Sequence, residues 1–144
     1  MTGDDTVAAV RLLRDEQDVR DLGHRFADAC NRGDVDAFRA LWADDGRWII
    51  DDPVGVDVGG ADAVAATLAA MRPAWEFFVQ LPLAPVVRVD GDRATSRWTV
   101  SEHARGVDGG HYANHARYDD ELVRTRAGWR YLRRHYRYYH LDQG

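Results

Sequence analysis

Apolar positions in the first half of the chain recur at three-to-four-residue spacing, and in the second half they alternate with polar ones. Val19, Leu22, Phe26, Ala29 and Cys30 fall on one face and predict a helix. The stretch "NRGD" interrupts it, with Gly33 as the C-terminal stop and Asp34 as the next N-cap. Val35, Phe38, Leu41 and Trp42 predict a short second helix, "ADDG" a turn and "RWIID" a first strand. After "GVDVGG" a third helix buries Val64, Leu68 and Met71, and Pro73 ends it.

From "WEFFVQL" onward the pattern is that of strands. "WEFFVQL" and "APVVRV" form one bent strand or two, "VDGDR" is an Asp-Gly hairpin turn, and "ATSRWTVSEHAR" is the next strand. A "GVDGG" turn, the long strand "HYANHARYDDELVRT", a "RAGW" turn and a last strand "WRYLRRHYRYYHL" follow. Helices first and strands afterwards predict an α+β fold, a curved antiparallel sheet packed on three N-terminal helices. Residues 1–144 read as one domain, with 1–13 as an N-terminal extension that could itself be helical.

Alternation assigns the faces. In the strand from His111, the even set (Tyr112, Asn114, Ala116, Tyr118, Asp120, Leu122) is the less charged and is expected to face the helices. That turns Asp120 inward, either as a functional carboxyl or as the partner of a buried Arg133 or Arg134. In the strand before it, Ala94, Ser96, Trp98 and Val100 form the apolar parity. Trp48, Phe77, Trp98 and Trp129 read as core, some of them lining a cavity mouth. The stretch "WIIDDPVG" runs an apolar strand directly into Asp51 and Asp52, which is either a turn or a carboxylate held at the end of a core strand.

Composition narrows the classes. A net charge of -5 gives no nucleic-acid signal, so the Arg/Tyr mixture of "WRYLRRHYRYYH" is expected to pack sheet on sheet in a homodimer, its arginines paired with the neighbouring "DDE". No apolar run is long enough to span a bilayer and the N-terminus is acidic, so no membrane partner and a cytoplasmic location are expected. Cys30 is the sole cysteine, which excludes an internal disulfide and disfavours thiolate zinc. His103, His111, His115 and Asp119 could meet only on the convex face, and no metal site is expected.

"CNRGDVDAFRALWADDGRWIIDDPVG", "VDGDRAT" and "YDDELVRTRAGWRYLRR", in that order, resemble the SnoaL-like and ketosteroid-isomerase-like branches of the nuclear-transport-factor-2-like superfamily over roughly residues 14–140. The resemblance implies a cone-shaped sheet. It also implies a general base at Asp52, from the "DPVG" pattern, and a protonated acid at Asp120, eight residues before Gly128. Phe26 stands where the isomerases carry an oxyanion tyrosine. Against scytalone-dehydratase-like members, Cys30 and Asn31 replace a Tyr-Asp pair, His103 resembles the second histidine, and Gln80 falls near the first.

The expected function is therefore a cofactor-free isomerase or lyase (dehydratase, cyclase or ketosteroid-isomerase-like) acting on a small apolar cyclic substrate, polyketide- or steroid-like. Asp52 would take a proton, and Asp120, with Tyr118 or His103, would stabilise or protonate the oxyanion. Trp48, Phe26, Trp98, Asn114 and Phe77 are the expected substrate contacts. The alternatives are a non-catalytic binding or assembly module of the same fold, and an epoxide-hydrolase-like enzyme that adds water.

Overall fold

A computed structural model describes residues 2–144. Helix α1 (Gly3–Arg32) starts at a capping box, in which Thr2 Oγ1 accepts from the Asp5 amide at 3.2 Å and Asp5 accepts from the Thr2 amide at 3.1 Å. It ends at Gly33, whose φ of 67° is the left-handed conformation that favours glycine. Its fully buried residues begin only at Val19; residues 3–14 are exposed, and Asp15 is the first to be tied to the sheet, accepting from Arg124 and Trp129. Helix α2 (Val35–Arg39) is capped by Asp34. Strand β1 (Trp42–Ile50) is followed by β2 (Val56–Gly59), then α3 (Ala61–Met71) and a 3-10 turn (Arg72–Ala74). Strands β3 (Trp75–Asp90), β4 (Arg93–Gly106), β5 (His111–Thr125) and β6 (Gly128–Gln143) complete the chain.

The six strands form one curved, open sheet in the order β2-β1-β6-β5-β4-β3. Strands β3 to β6 are successive antiparallel hairpins. The sheet differs from a purely antiparallel one at a single junction, where β1 runs parallel to β6. The first strand reaches the free edge of the last only through α3 and the whole meander, and so enters in the same direction. "APVVRV" continues "WEFFVQL" as one strand, with a register shift between Leu83 and Val86 where Ala84 takes φ 49°. Part of the "GVDVGG" stretch, to which the pattern assigns no element, pairs with β1 as β2.

One face of the sheet packs on the helices. Phe26, Phe38, Trp42, Trp48 and Tyr131 meet at edge-to-face and tilted angles in the core. Trp98, fully buried, crosses α1 at Gly23, where a Cβ would collide with the indole ring. Gly23→Ala is expected to cost about 1–3 kcal/mol by overpacking, read as a lowered urea midpoint with unchanged slope. A midpoint equal to the wild type's would show that α1 can shift to make room.

Candidate active site

The side chains facing the helices leave a cavity of about 90 Å³ beneath α1 and α3. Trp48, Ile50, Leu68, Met71, Trp75 and Phe78 make its apolar wall, and Val54 from the β1–β2 turn stands at its edge. Its polar groups are Cys30, Arg72, Gln80, Glu102 and four tyrosines, 112, 118, 136 and 138.

Glu102 is the carboxylate of this cavity. It shares the inward parity of β4 with Ser96, Trp98 and Val100 and is 6% exposed. Gln80 Nε2 donates to its Oε1 at 2.6 Å; the Tyr136 hydroxyl (2.8 Å) and Asn114 Nδ2 (3.2 Å) donate to its Oε2. A carboxylate offers about four lone-pair sites, so three donors leave one for a ligand. Burial pushes the Glu102 carboxyl above the ordinary glutamate range, and the three donors pull only partly against it.

The surroundings respond to that charge. Burial first, and then Glu102, push up the Cys30 thiol and the hydroxyls of Tyr112 and Tyr136. Tyr138, nearer the mouth, is pushed to about 12 for the same two reasons. Tyr118 is raised well above its ordinary value, chiefly by burial. Its oxygen accepts from Trp48 Nε1 at 3.1 Å, which leaves its proton free to donate. Asn31 brackets the main chain of Gln80, donating to its carbonyl at 2.9 Å and accepting from its amide at 2.7 Å, and so fixes β3 to the end of α1.

Asp120 also faces inward, but it is absent from the cavity lining. Arg134 Nε and Nη2 donate to its two oxygens at 2.7 and 3.2 Å, and Ser96 Oγ donates at 2.6 Å. Burial pushes this carboxyl up while Arg134 and Ser96 pull it down. Burial works against the Arg134 charge as well, but Asp120, Tyr131 and Tyr118 outweigh it and hold the guanidinium protonated. The guanidinium lies 3.7 Å from the Tyr118 ring centre, 4.3 Å from Phe26 and 4.5 Å from Tyr131. Of the two partners expected for Asp120, Arg134 is the one it meets.

The other expected site residues scatter. Asp52 is exposed in the turn after β1, outside the cavity lining, because the strand ends one residue before Asp51. Asp51 instead meets His135 Nε2 at 2.6 Å. His103 is exposed on the far face, since β4 keeps a continuous register with β5 there and no bulge turns it inward. Phe77 lies on that same outer face at 42% exposure. Phe26 and Trp98 are core residues outside the cavity lining, against Arg134 and Gly23 respectively. Trp48 and Tyr118 do line the cavity, and Asn114 reaches it through Glu102. Glu102 and Tyr136 were missed in the sequence, and Gln80 was located only as the position near the first dehydratase histidine, although extending the Trp98 and Val100 parity by one step marks Glu102 as an acid on an apolar face.

Among the described residues no group of three or more His, Cys, Asp or Glu side chains is placed to hold a metal ion. No described helix is long and apolar enough to cross a membrane.

By sequence, residues 11–135 match the SnoaL-like domain family. No curated protein matches the chain significantly. An NTF2-like protein with a cystatin-like fold from Novosphingobium aromaticivorans is similar in structure, at 27% identity and TM-score 0.74, over 94% of this chain and 88% of its own. A candidate scytalone dehydratase from the same organism matches at 16% identity and TM-score 0.80, over 95% and 90%. A hexachlorocyclohexane dehydrochlorinase, LinA type 3, from Novosphingobium barchaimii LL02 matches at 17% identity and TM-score 0.76, over 99% and 94%.

Proposed function

We propose, from the premise that the chain belongs to the SnoaL-like domain family, that it is a cofactor-independent acid–base enzyme whose base is Glu102. One observation carries the reading: a buried carboxylate with raised pKa and a spare lone pair lies at an apolar cavity that is also lined by a tyrosine whose hydroxyl proton is uncommitted. In the step proposed, the C–H bond next to a ring carbonyl breaks and its proton passes to Glu102. The electron pair forms a carbon–carbon double bond, the carbonyl pair moves onto oxygen, and Tyr118 donates to that oxyanion. Return of the proton at another carbon is isomerisation, and loss of a leaving group is elimination. The names of the dehydratase and dehydrochlorinase neighbours describe eliminations, which fits the lyase outcome.

The carboxylate of this reading is Glu102, in place of Asp52 and Asp120. The substrate is also smaller than a steroid. Ligand pockets commonly measure about 300–1,000 Å³, whereas this cavity of about 90 Å³ takes a single ring with its substituents reaching out of the mouth.

Deuterium uptake tests the step without knowledge of the product. Wild-type protein is expected to accelerate exchange of the ring protons of cyclohexanone and cyclohexenone in heavy water, followed by proton NMR. Tyr118→Phe is expected to slow it by roughly tenfold or more, by removing one oxyanion donor. No acceleration with any ring ketone would favour the non-catalytic binding module instead.

The assembly proposed is a homodimer through the outer sheet face. Leu81, Leu83 and Val86 of edge strand β3 are 51%, 48% and 58% exposed and continuous with Phe77 and Val79. Beside them Arg88, Arg97, Arg133 and Glu121 border one depression without partners in the same chain among the described residues, so a twofold pairing can match their opposite charges. Light scattering is expected to give a dimer, and Leu81→Asp a monomer that keeps its exchange activity. A wild-type monomer at high concentration would contradict this.

A further inference from the structure

The cavity has a second charged group that the proton transfer does not use. Among the described lining residues Arg72 is the one base, as Glu102 is the one acid. It follows α3 directly, in the 3-10 turn, and makes no ion pair among the described residues. Among the described residues its one hydrogen bond runs from Nη1 to the Trp75 carbonyl at 3.4 Å, and its buried Nε has no partner there. A half-buried guanidinium with most of its N–H fork unspent is costly unless something accepts from it.

The two charged groups line the same cavity from different elements, the turn after α3 and strand β4. Trp75, three residues beyond Arg72, pairs with Gly106, four residues along β4 from Glu102. At roughly 3.3 Å per residue Trp75, whose carbonyl lies 3.4 Å from Arg72 Nη1, is about 13 Å from Glu102 along the backbone. A ring lying along the cavity can therefore face both groups. A carboxylate at the Arg72 end is thus kept away from the Glu102 charge and is matched by a fork suited to bidentate recognition.

We propose that Arg72 is a substrate-binding residue, and that the substrate is a monocyclic keto acid with its carboxylate on Arg72 and its ring carbonyl toward Tyr118 and Glu102. This rests on the acid–base reading for the carbonyl end, but the carboxylate end can be tested alone. A purely structural role would be different: the side chain packs beside Gly33 at the end of α1, where a cation also favours the helix dipole.

The test uses 4-oxocyclohexane-1-carboxylate and its primary amide, equal in shape and different in charge. By calorimetry, wild-type protein is expected to bind the acid roughly 10–100-fold more tightly than the amide, as one charge-assisted contact allows. Arg72→Met is expected to lower acid affinity to the amide's level with amide affinity unchanged, and Arg72→Lys to restore part of the preference. In the exchange assay Arg72→Met is expected to raise KM for the acid and leave kcat nearly unchanged. Equal wild-type affinities for the two probes would overturn the proposal, as would a preference that survives Arg72→Met. So would a Met variant that weakens both probes alike, with a lowered Tm, since that is the helix-end role. Should the Met variant fail to fold, Arg72→Gln replaces it under the same criteria. Glu102→Gln separates the two readings: it is expected to stop exchange and keep the preference for the acid. Full exchange in that variant would sink the acid–base reading and leave the calorimetric result standing.

Discussion

Glu102→Gln is expected to lower carbon-proton exchange by about 10²–10⁴-fold, the usual contribution of a positioned general base, and to leave the fold intact. The substitution keeps the volume and removes the proton acceptor. An amide oxygen at the Oε2 position can still accept from Tyr136 and Asn114. The amide nitrogen then faces Gln80, whose own amide can turn over to present oxygen. Stability gives a second readout with a definite sign. The folded pKa of Glu102 is raised above its unfolded value, so its contribution is fully present below the unfolded pKa and is lost as pH rises through the folded one. Wild-type protein should therefore lose stability over that window and Glu102→Gln should not, so the variant gains relative to the wild type as pH rises. A variant that exchanges protons at the wild-type rate would remove Glu102 from the chemistry.

Asp120→Ala is expected to be the most destabilising of the single changes, by about 3–5 kcal/mol, because it strands a buried guanidinium without its counter-charge. Arg134 is 2% exposed and enclosed by the rings of Tyr118, Phe26 and Tyr131, which shield its charge from solvent. For a chain of this length the loss corresponds to a Tm lower by about 10–15 °C. Replacing both partners by apolar residues, Asp120→Leu with Arg134→Met, is expected to recover most of it, since an absent pair leaves no uncompensated charge. The double variant also separates position from chemistry. It is expected to retain exchange within about tenfold, since Tyr118 keeps its Trp48 contact while losing the cation against its ring. Loss of exchange in a fully folded double variant would return Asp120 to the catalytic machinery.

Much of the fold was legible because its signals are local and redundant. Val19, Leu22, Phe26, Ala29 and Cys30 are all buried along α1, and Gly33 and Asp34 end one helix and cap the next as their residue types suggest. The alternation of β5 placed Asn114, Tyr118 and Asp120 inside correctly. Trp42 and "ADDG", expected as helix end and turn, instead begin β1, and three further features escaped for physical reasons. The parallel junction of β1 with β6 joins segments far apart in sequence, and no local pattern encodes it. The faces of β6 were blurred because Arg134 shares the inward face with Tyr136, and a buried ion pair breaks the hydrophobic code that alternation relies on. β2 is too short to show a period.

The site was legible at the level of its ingredients more than its members. An inward carboxylate was expected, and the cavity has one, but on β4. Asp52 drew attention through the "DPVG" pattern, yet the chain leaves the sheet before it. His103 drew attention as a titratable group, while its neighbour Glu102 occupies the inward position. Gln80 and Tyr136 have no signature in isolation; they matter because β3 and β6 place them around the same carboxylate.

The central claim is that Glu102 in its ionised form removes the proton. The pH dependence of wild-type exchange with 4-oxocyclohexane-1-carboxylate, measured beside a carbon-13 titration of the Glu102 carboxyl, tests it most directly. The rate is expected to fall on the acid side with a midpoint above the ordinary glutamate range that coincides with the Glu102 titration. A rate that stays level while that carboxyl takes up its proton would contradict the claim.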